Sequence, residues 1–216
     1  VIDLRREGDV HVLRFDAGDN RFSPELLDGL SEALDELTSA SGPRALVTTG
    51  TGKFYSNGLD LDWLGQNAGR QDAYLDRVHA TFVRLLTLPM PTVAAINGHA
   101  FAAGAMLSLT HDYRVMRADR GYFCLPEVDL GLPFTPGMSA LIQARLPKTT
   151  AHEAMVTGHR YGGEEAVTAG IVHRTAAEAD VISAAIALAA PLAAKDGGTM
   201  AKIRTEMYRP VLEALA

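Results

Sequence analysis

Two short apolar runs, ALVTT at 45–49 and TVAAI at 92–96, contain no charged residue at either set of alternating positions. Runs of that kind suit strands that are buried on both faces, as in a sheet covered by helices. Helical segments lie around them. Ser23 is placed to cap a helix with Pro24 at its first position, and Leu26, Leu27, Leu30, Leu34 and Leu37 recur as one buried face. A second helix is predicted over 73–88 and ends before PMP. VHVLRF at 10–15 alternates like a half-buried strand, and a further strand is expected near YRVMR. This alternation in the first half predicts parallel α/β organisation. From Gly121 onward YFCL reads as a short strand and PEVDLGLPFTP as a loop. Helices are predicted over 138–145, 151–157, 164–169, 178–194 and 199–215.

The chain has 216 residues, 47% apolar and 21% charged, with a formal net charge of -6. That balance argues against a broad surface for nucleic acid or anionic lipid, and leaves room only for a local basic pocket. A single cysteine, Cys124 in YFCL, excludes an internal disulfide and a cysteine-rich metal site, and reads as a small buried hydrophobe. No apolar run reaches the length of a membrane span, and the N-terminus lacks the apolar core of a signal peptide, so the expected location is cytoplasmic.

Familiar chemical motifs are missing. GTGK at 50–53 fails as a phosphate loop because Val47 and Phe54 stand where glycine and a hydroxyl residue belong. There is no dinucleotide fingerprint, no nucleophile elbow and no histidine cluster for a metal. What remains is two strand-to-loop-to-helix junctions, one at SNGLD (56–60) and one at INGHAFAAG (96–104). The first turn of a helix leaves backbone N–H groups without partners, and small residues let a ligand approach them. Two such donors aimed at one oxygen form an oxyanion hole. One junction alone is better explained by tight helix packing; a second weakens that explanation without removing it. A third element is LPEVDLGLP at 125–133, where Glu127 sits among apolar neighbours whose desolvation would make it a stronger proton acceptor. Asp129 is its rival two residues on.

Taken together, SNGLDL, PTVAAINGHAFAAG, LPEVDLGLP and TGHRYGGEEAVTAGIVHR resemble, in this order, the enoyl-CoA hydratase/isomerase, or crotonase, superfamily. HDYRVMRADRG followed by PEVDLGLP is most similar to the Δ3,Δ2-enoyl-CoA isomerases of the plant peroxisomal type. The resemblance implies an α/β fold, a spiral of ββα turns over 1–174 that carries an acyl-CoA site, with a short helical region over 175–216. It implies a homotrimer or dimer of trimers, and coenzyme A as part of the substrate rather than a cofactor. Leu59 and Ala103 would give the backbone N–H groups that hold the thioester oxygen, and Glu127 the catalytic base. Ser56, Asn57, Gly58, Asp60, Leu61, Gly104, Pro126 and Gly131 would line the substrate path.

Alanines at 102 and 103 replace glycines common in the family, so Ala103 must reach the required backbone angles. Hydratases of the family use two glutamates, and here the first falls on Met106. Loss of one acid removes half of the water-adding machinery, while moving a double bond needs a single base. The resemblance therefore implies isomerisation of a 3-enoyl-CoA to a 2-trans-enoyl-CoA. The alternatives are another reaction of the fold, such as hydration or thioester hydrolysis, and a non-catalytic acyl-CoA-binding protein. The last is favoured by the 44 residues that follow Val172, a short C-terminal run for this family. Lys53, Lys202 and Arg204 are candidates for phosphate contact or simple solvation. Trp63, Leu64, Phe82 and Phe134 are candidate pocket walls, and His99 and His111 are expected to be packing or hydrogen-bonded residues.

Overall fold

The computed structural model describes residues 1–216. A hairpin of β1 (Ile2–Glu7) and β2 (Val10–Phe15) opens the chain in antiparallel register from Ile2↔Phe15 to Glu7↔Val10. Helix α1 (Pro24–Ser39) follows, and the Ser23 hydroxyl accepts the Leu26 N–H at 3.2 Å, as the capping signal predicts. Its five leucines are buried, each contributing roughly 2 kcal/mol of apolar burial.

Three ββα turns come next. The first is β3 (Ala45–Gly50), β4 (Phe54–Ser56), α2 (Leu61–Gln66) and α3 (Gln71–Leu86). The second is β5 (Thr92–Ile96), β6 (His99–Phe101) and α4 (Ala103–Leu109). The third is β7 (Tyr113–Arg117), β8 (Phe123–Cys124) and α5 (Glu127–Leu130). The remainder runs α6 (Pro136–Arg145), α7 (Lys148–Thr157), β9 (Arg160–Tyr161), α8 (Gly163–Thr168), β10 (Arg174–Ala176), α9 (Val181–Ala189), α10 (Gly197–Met207) and α11 (Arg209–Leu215).

In each turn the first strand joins a six-stranded sheet, β1-β2-β3-β5-β7-β10, and the second joins a four-stranded sheet, β4-β6-β8-β9. Successive turns therefore stack as a spiral, with all pairings from β2 to β10 and from β4 to β8 parallel. Asn97 staples two corners of the spiral: its Oδ1 accepts the Gly50 N–H at 2.8 Å and its Nδ2 donates to the Gly52 carbonyl at 3.2 Å.

Alternation decides which core each strand residue enters. Val10, Val12, Ala45, Val47, Val93, Ala95 and Val115 point to one face, against Val181, Ala185, Ala189 and Ala193. Leu13, Phe15, Leu46, Ala94, Ile96 and Met116 point to the other, into the larger core shared with α1, α3 and the small sheet. Position 175, where the helical region was expected to begin, lies within β10 (Arg174–Ala176), and α9 packs on the large sheet.

Two long helices expected near the C-terminus are broken. The segment over 178–194 is a 3₁₀ turn, α9 and a second 3₁₀ turn containing Pro191. The segment over 199–215 bends at Tyr208, because Pro210 has no N–H to continue the ladder and instead opens α11. Arg204 is neither solvated nor a phosphate ligand. It is buried, donates to the Leu88 and Met90 carbonyls and pairs with Asp112, pinning α10 beneath the start of β5.

A buried polar chain crosses the larger core: the Tyr55 hydroxyl and Thr48 Oγ1 are 2.7 Å apart, and Thr48 Oγ1 lies 2.9 Å from His111 Nε2. His111 Nδ1 in turn faces the Leu107 carbonyl at 3.0 Å, so this histidine is a hydrogen-bonded packing residue, as expected. Burial pushes its pKa down to about 4, and burial also lowers that of His173 to about 4. Between pH 4 and 6.5 these two histidines bind more protons in the unfolded chain than in the folded one, so their contribution to stability is full above pH 6.5 and declines as the pH falls. Urea unfolding from pH 7 to 4.5, compared between wild type and His111→Gln, should isolate this contribution: the variant's loss of stability on acidification should be smaller by up to about 1.4 kcal/mol per pH unit.

Candidate active site

The parallel strands of the small sheet end together. β4 leads to Leu59, β6 into Ala103 and β8 into Glu127, so three separate chain segments deliver their chemistry to one rim. Ligands of open α/β sheets bind outside such carboxyl ends. A cavity of about 960 Å³ lies there, lined among others by Asn57, Leu59, Ala103, Met106, Pro126 and Glu127.

The first two segments touch through their backbones. A Cβ on Gly104 would lie 2.3 Å from the Ser56 carbonyl oxygen, so only glycine permits this approach. Gly58, at φ +83, is also tightly packed: a Cβ there would meet the Phe101 oxygen at 2.9 Å and the Ala103 nitrogen at 3.1 Å. The loop is anchored from behind. Phe22 N–H donates to the Gly58 carbonyl at 2.8 Å and Asn57 N–H to the Asp19 carbonyl at 3.0 Å. Tyr74 accepts the Asp60 N–H at 3.0 Å and donates to the Phe22 carbonyl at 2.9 Å. Neither the Leu59 nor the Ala103 N–H has an acceptor within the protein. Two unpaired donors on abutting backbones are suited to a single oxyanion.

The alanine-for-glycine departure falls differently from expectation. Ala103 is the first residue of α4 and needs no unusual angle; Ala102 before it takes φ 52 and ψ -126. A side chain in this region carries strain of about 1–3 kcal/mol. The strain is the local consequence of turning the chain out of β6 and into α4 within one residue.

Glu127 is the first residue of α5 and is only 8% exposed. Its Oε2 has no hydrogen-bond partner, and burial pushes its pKa up to about 7. A carboxylate of that kind is matched to taking and returning protons near neutrality. Asp62 also lines the cavity but is paired with Arg21 at 2.6 Å. Asp129, the rival to Glu127, is exposed and does not line the cavity. Met106 occupies the cavity wall as an apolar side chain, 1% exposed. Cys124 also reaches the wall, yet its Sγ donates to the Gly158 carbonyl at 3.3 Å and burial raises its pKa to about 11, which keeps it a thiol.

Of the residues expected on the substrate path, Asn57, Leu61 and Pro126 line the cavity. The other five sit behind or beside it. Ser56 is buried and donates to the Asn20 carbonyl at 2.7 Å, Gly58 and Gly104 make the close backbone contact, and Asp60 caps α2 through the Trp63 N–H. Gly131 is the left-handed cap of α5. Leu64 and Phe134 are walls as expected, whereas Phe82 is packed in the core against Phe22, and Trp63 stacks on Tyr74. Sequence reasoning missed Arg160, Tyr74 and Asn20. Asn20, at φ 52, lies in the turn DAGDN and donates to the Phe54 carbonyl at 2.9 Å. Only its turn setting hinted at a role.

Comparison with known proteins places this arrangement. The family described as Enoyl-CoA hydratase/isomerase matches residues 5–216. The peroxisomal enoyl-CoA delta isomerase 2 of Arabidopsis thaliana is 40% identical over 95% of this chain and 91% of its own. Enoyl-CoA delta isomerase 3 of the same plant is also 40% identical, over 95% and 91%. A crystal structure of the probable enoyl-CoA hydratase EchA3 of Mycobacterium tuberculosis superposes with a TM-score of 0.92 at 27% identity, covering 99% of this chain and 91% of that one.

Two stability measurements test the geometry. Ala102→Gly should raise stability by about 1 kcal/mol by relieving the positive φ; a loss would show that the angle carries no strain. The folded Glu127 holds its proton to about pH 7 while the unfolded carboxyl releases it near 4.5, so its contribution to stability declines as the pH rises through that window. Glu127→Gln should therefore stabilise the fold by about 1–3 kcal/mol at pH 8 and by little at pH 4.5.

Proposed function

The chain belongs to the enoyl-CoA hydratase/isomerase family, and we propose that within it this protein converts a 3-enoyl-CoA to the 2-trans-enoyl-CoA. The thioester oxygen sits between the Leu59 and Ala103 N–H groups. Glu127 removes a proton from C2, the negative charge spreads over a dienolate whose oxygen the two donors hold, and the same carboxyl returns the proton at C4. The double bond moves from C3–C4 to C2–C3, with no net change in composition and no electron acceptor needed. No cofactor enters this scheme, because coenzyme A arrives with the substrate.

One observation carries the reading. The cavity holds a single unpaired carboxylate, buried and tuned towards neutrality, together with two free backbone donors and the apolar Met106. A lone base that both takes and gives the proton suits a shift of a double bond. Water addition calls for a second polar group to hold the water, and Met106 offers none. The plant relatives bear the name of isomerases, which adds support. The chain spans 91% of their length.

A homotrimer or dimer of trimers belongs to the same proposal. It is supported by the rings of Phe54, His99 and Tyr122, which cluster beside the small sheet and stay at least partly exposed. The cytoplasmic location read from the sequence is likewise proposed. No single helix is long and apolar enough to cross a membrane, whereas two of the plant relatives are named peroxisomal, which points to a different compartment for those proteins.

A spectrophotometric panel of 3-hexenoyl-CoA, 2-hexenoyl-CoA and hexanoyl-CoA tests the assignment. Turnover is expected on the first, with conjugated product appearing, and Glu127→Gln should lower kcat by about 10³-fold. Faster consumption of the second or third substrate would point to hydration or thioester hydrolysis instead. In a separate assay, Met106→Glu should bring detectable hydration of 2-hexenoyl-CoA, since it supplies the missing second acid.

A further inference from the structure

The rim of the small sheet continues beyond Glu127. β9 is antiparallel to β8, and its register sets Arg160 opposite Cys124, at the same end of the sheet as the catalytic groups. Arg160 lines the cavity together with Leu59, Ala103 and Glu127. Along the rim the order is Leu59, Ala103, Glu127, Arg160, one from each successive strand.

This order has a direction when read with the proposed isomerase reaction, on which the inference rests. The thioester carbon lies at the first two positions and C2 to C4 lie at the third. Neighbouring strands are about 4.8 Å apart, so the next part of the acyl chain falls within reach of the arginine.

Arg160 is unlike the other charges here. Arg21, the second cavity-lining arginine, is neutralised by Asp62 at 2.6 Å and Asp19 at 3.5 Å. Arg160 is exposed and belongs to no ion pair. Its guanidinium lies 5.7 Å from the centre of the Phe101 ring and beside the Cys124 thiol, contacts that steady the group and supply no negative charge to it. It does not serve the base either, since burial alone accounts for the raised pKa of Glu127, with no opposing arginine. Lys53 and Arg120 precede β4 and β8, at the opposite ends of those strands, and do not line the cavity. A cavity cation with no acid of its own is suited to an acid brought by the substrate.

We propose that Arg160 recognises a carboxylate at the far end of the acyl chain, so that the enzyme accepts short thioesters of dicarboxylic acids beside ordinary fatty acyl ones. The guanidinium is a substrate-selecting group, removed from the proton transfer. Chains without the acid use the apolar walls of Leu64, Phe134 and Met138.

Titration calorimetry with two unreactive thioesters, octanoyl-CoA and octanedioyl-CoA, decides the matter without depending on turnover. The wild-type protein should bind octanedioyl-CoA at least as tightly as octanoyl-CoA. Arg160→Gln should weaken octanedioyl-CoA about tenfold or more and octanoyl-CoA less than twofold, with Arg160→Lys in between. Equal weakening of both ligands overturns the proposal. If that shared loss vanishes with the pantetheine thioesters, which lack the nucleotide phosphates, Arg160 reads the coenzyme instead. Selective binding without any turnover of 3-octenedioyl-CoA would leave this inference standing and sink the isomerase reading alone.

Discussion

The close approach of the chain leaving β4 to the chain leaving β6 is the constraint on which the site depends. Gly104 lies so near the Ser56 backbone that no side chain fits between them, and Gly58 packs in the same way on Phe101 and Ala103. This contact brings together two N–H groups from residues 44 positions apart, 59 and 103. It also dictates the strained turn at Ala102, because the chain must rotate out of the strand within one residue to start α4. The spiral exists to make such contacts: stacking one ββα turn on the next places equivalent strand ends side by side.

The site stores free energy in three forms that a fold selected for stability alone would avoid. It holds a carboxyl group with an unpartnered oxygen, two unpaired backbone donors and a left-handed alanine. Each is tolerable because the surroundings are rigid. α1 and α3 supply a deep apolar core, and Asn20, Tyr74 and Asn97 tie the loops with directed hydrogen bonds. The same rigidity keeps the two N–H groups from turning towards an acceptor within the protein. The apolar lining then sharpens each remaining charge, since a carboxylate removed from water becomes a stronger base.

Much of the fold was legible locally. The Ser23 cap with Pro24, the leucine face of α1, the double-sided burial of β3 and β5 and the α/β alternation all follow from periodicity and capping. Helix lengths near the C-terminus were not, because apolar periodicity runs on through Pro191 and Pro210 while the backbone cannot. The candidate base was legible too, since an acid among Leu125, Pro126 and Val128 is conspicuous in sequence. Ser56 and Arg204 were misread for the opposite reason: a polar side chain looks available in sequence, and only its tertiary partners, Asn20 and Asp112, show that it is already engaged.

The sequence by itself determined most of the elements, the α/β alternation and the presence of one candidate acid, because these depend on local patterning and residue type; the spiral class and the reading of Met106 in place of a second acid came through the family resemblance. The tertiary structure decided which groups share the cavity and which are walled off from it. Only packing across distant strands sets the approach of Gly104 to Ser56, the strain at Ala102 and the unpaired state of Arg160. Burial and pairing are properties of neighbours brought together in space, and residue order along the chain does not record them.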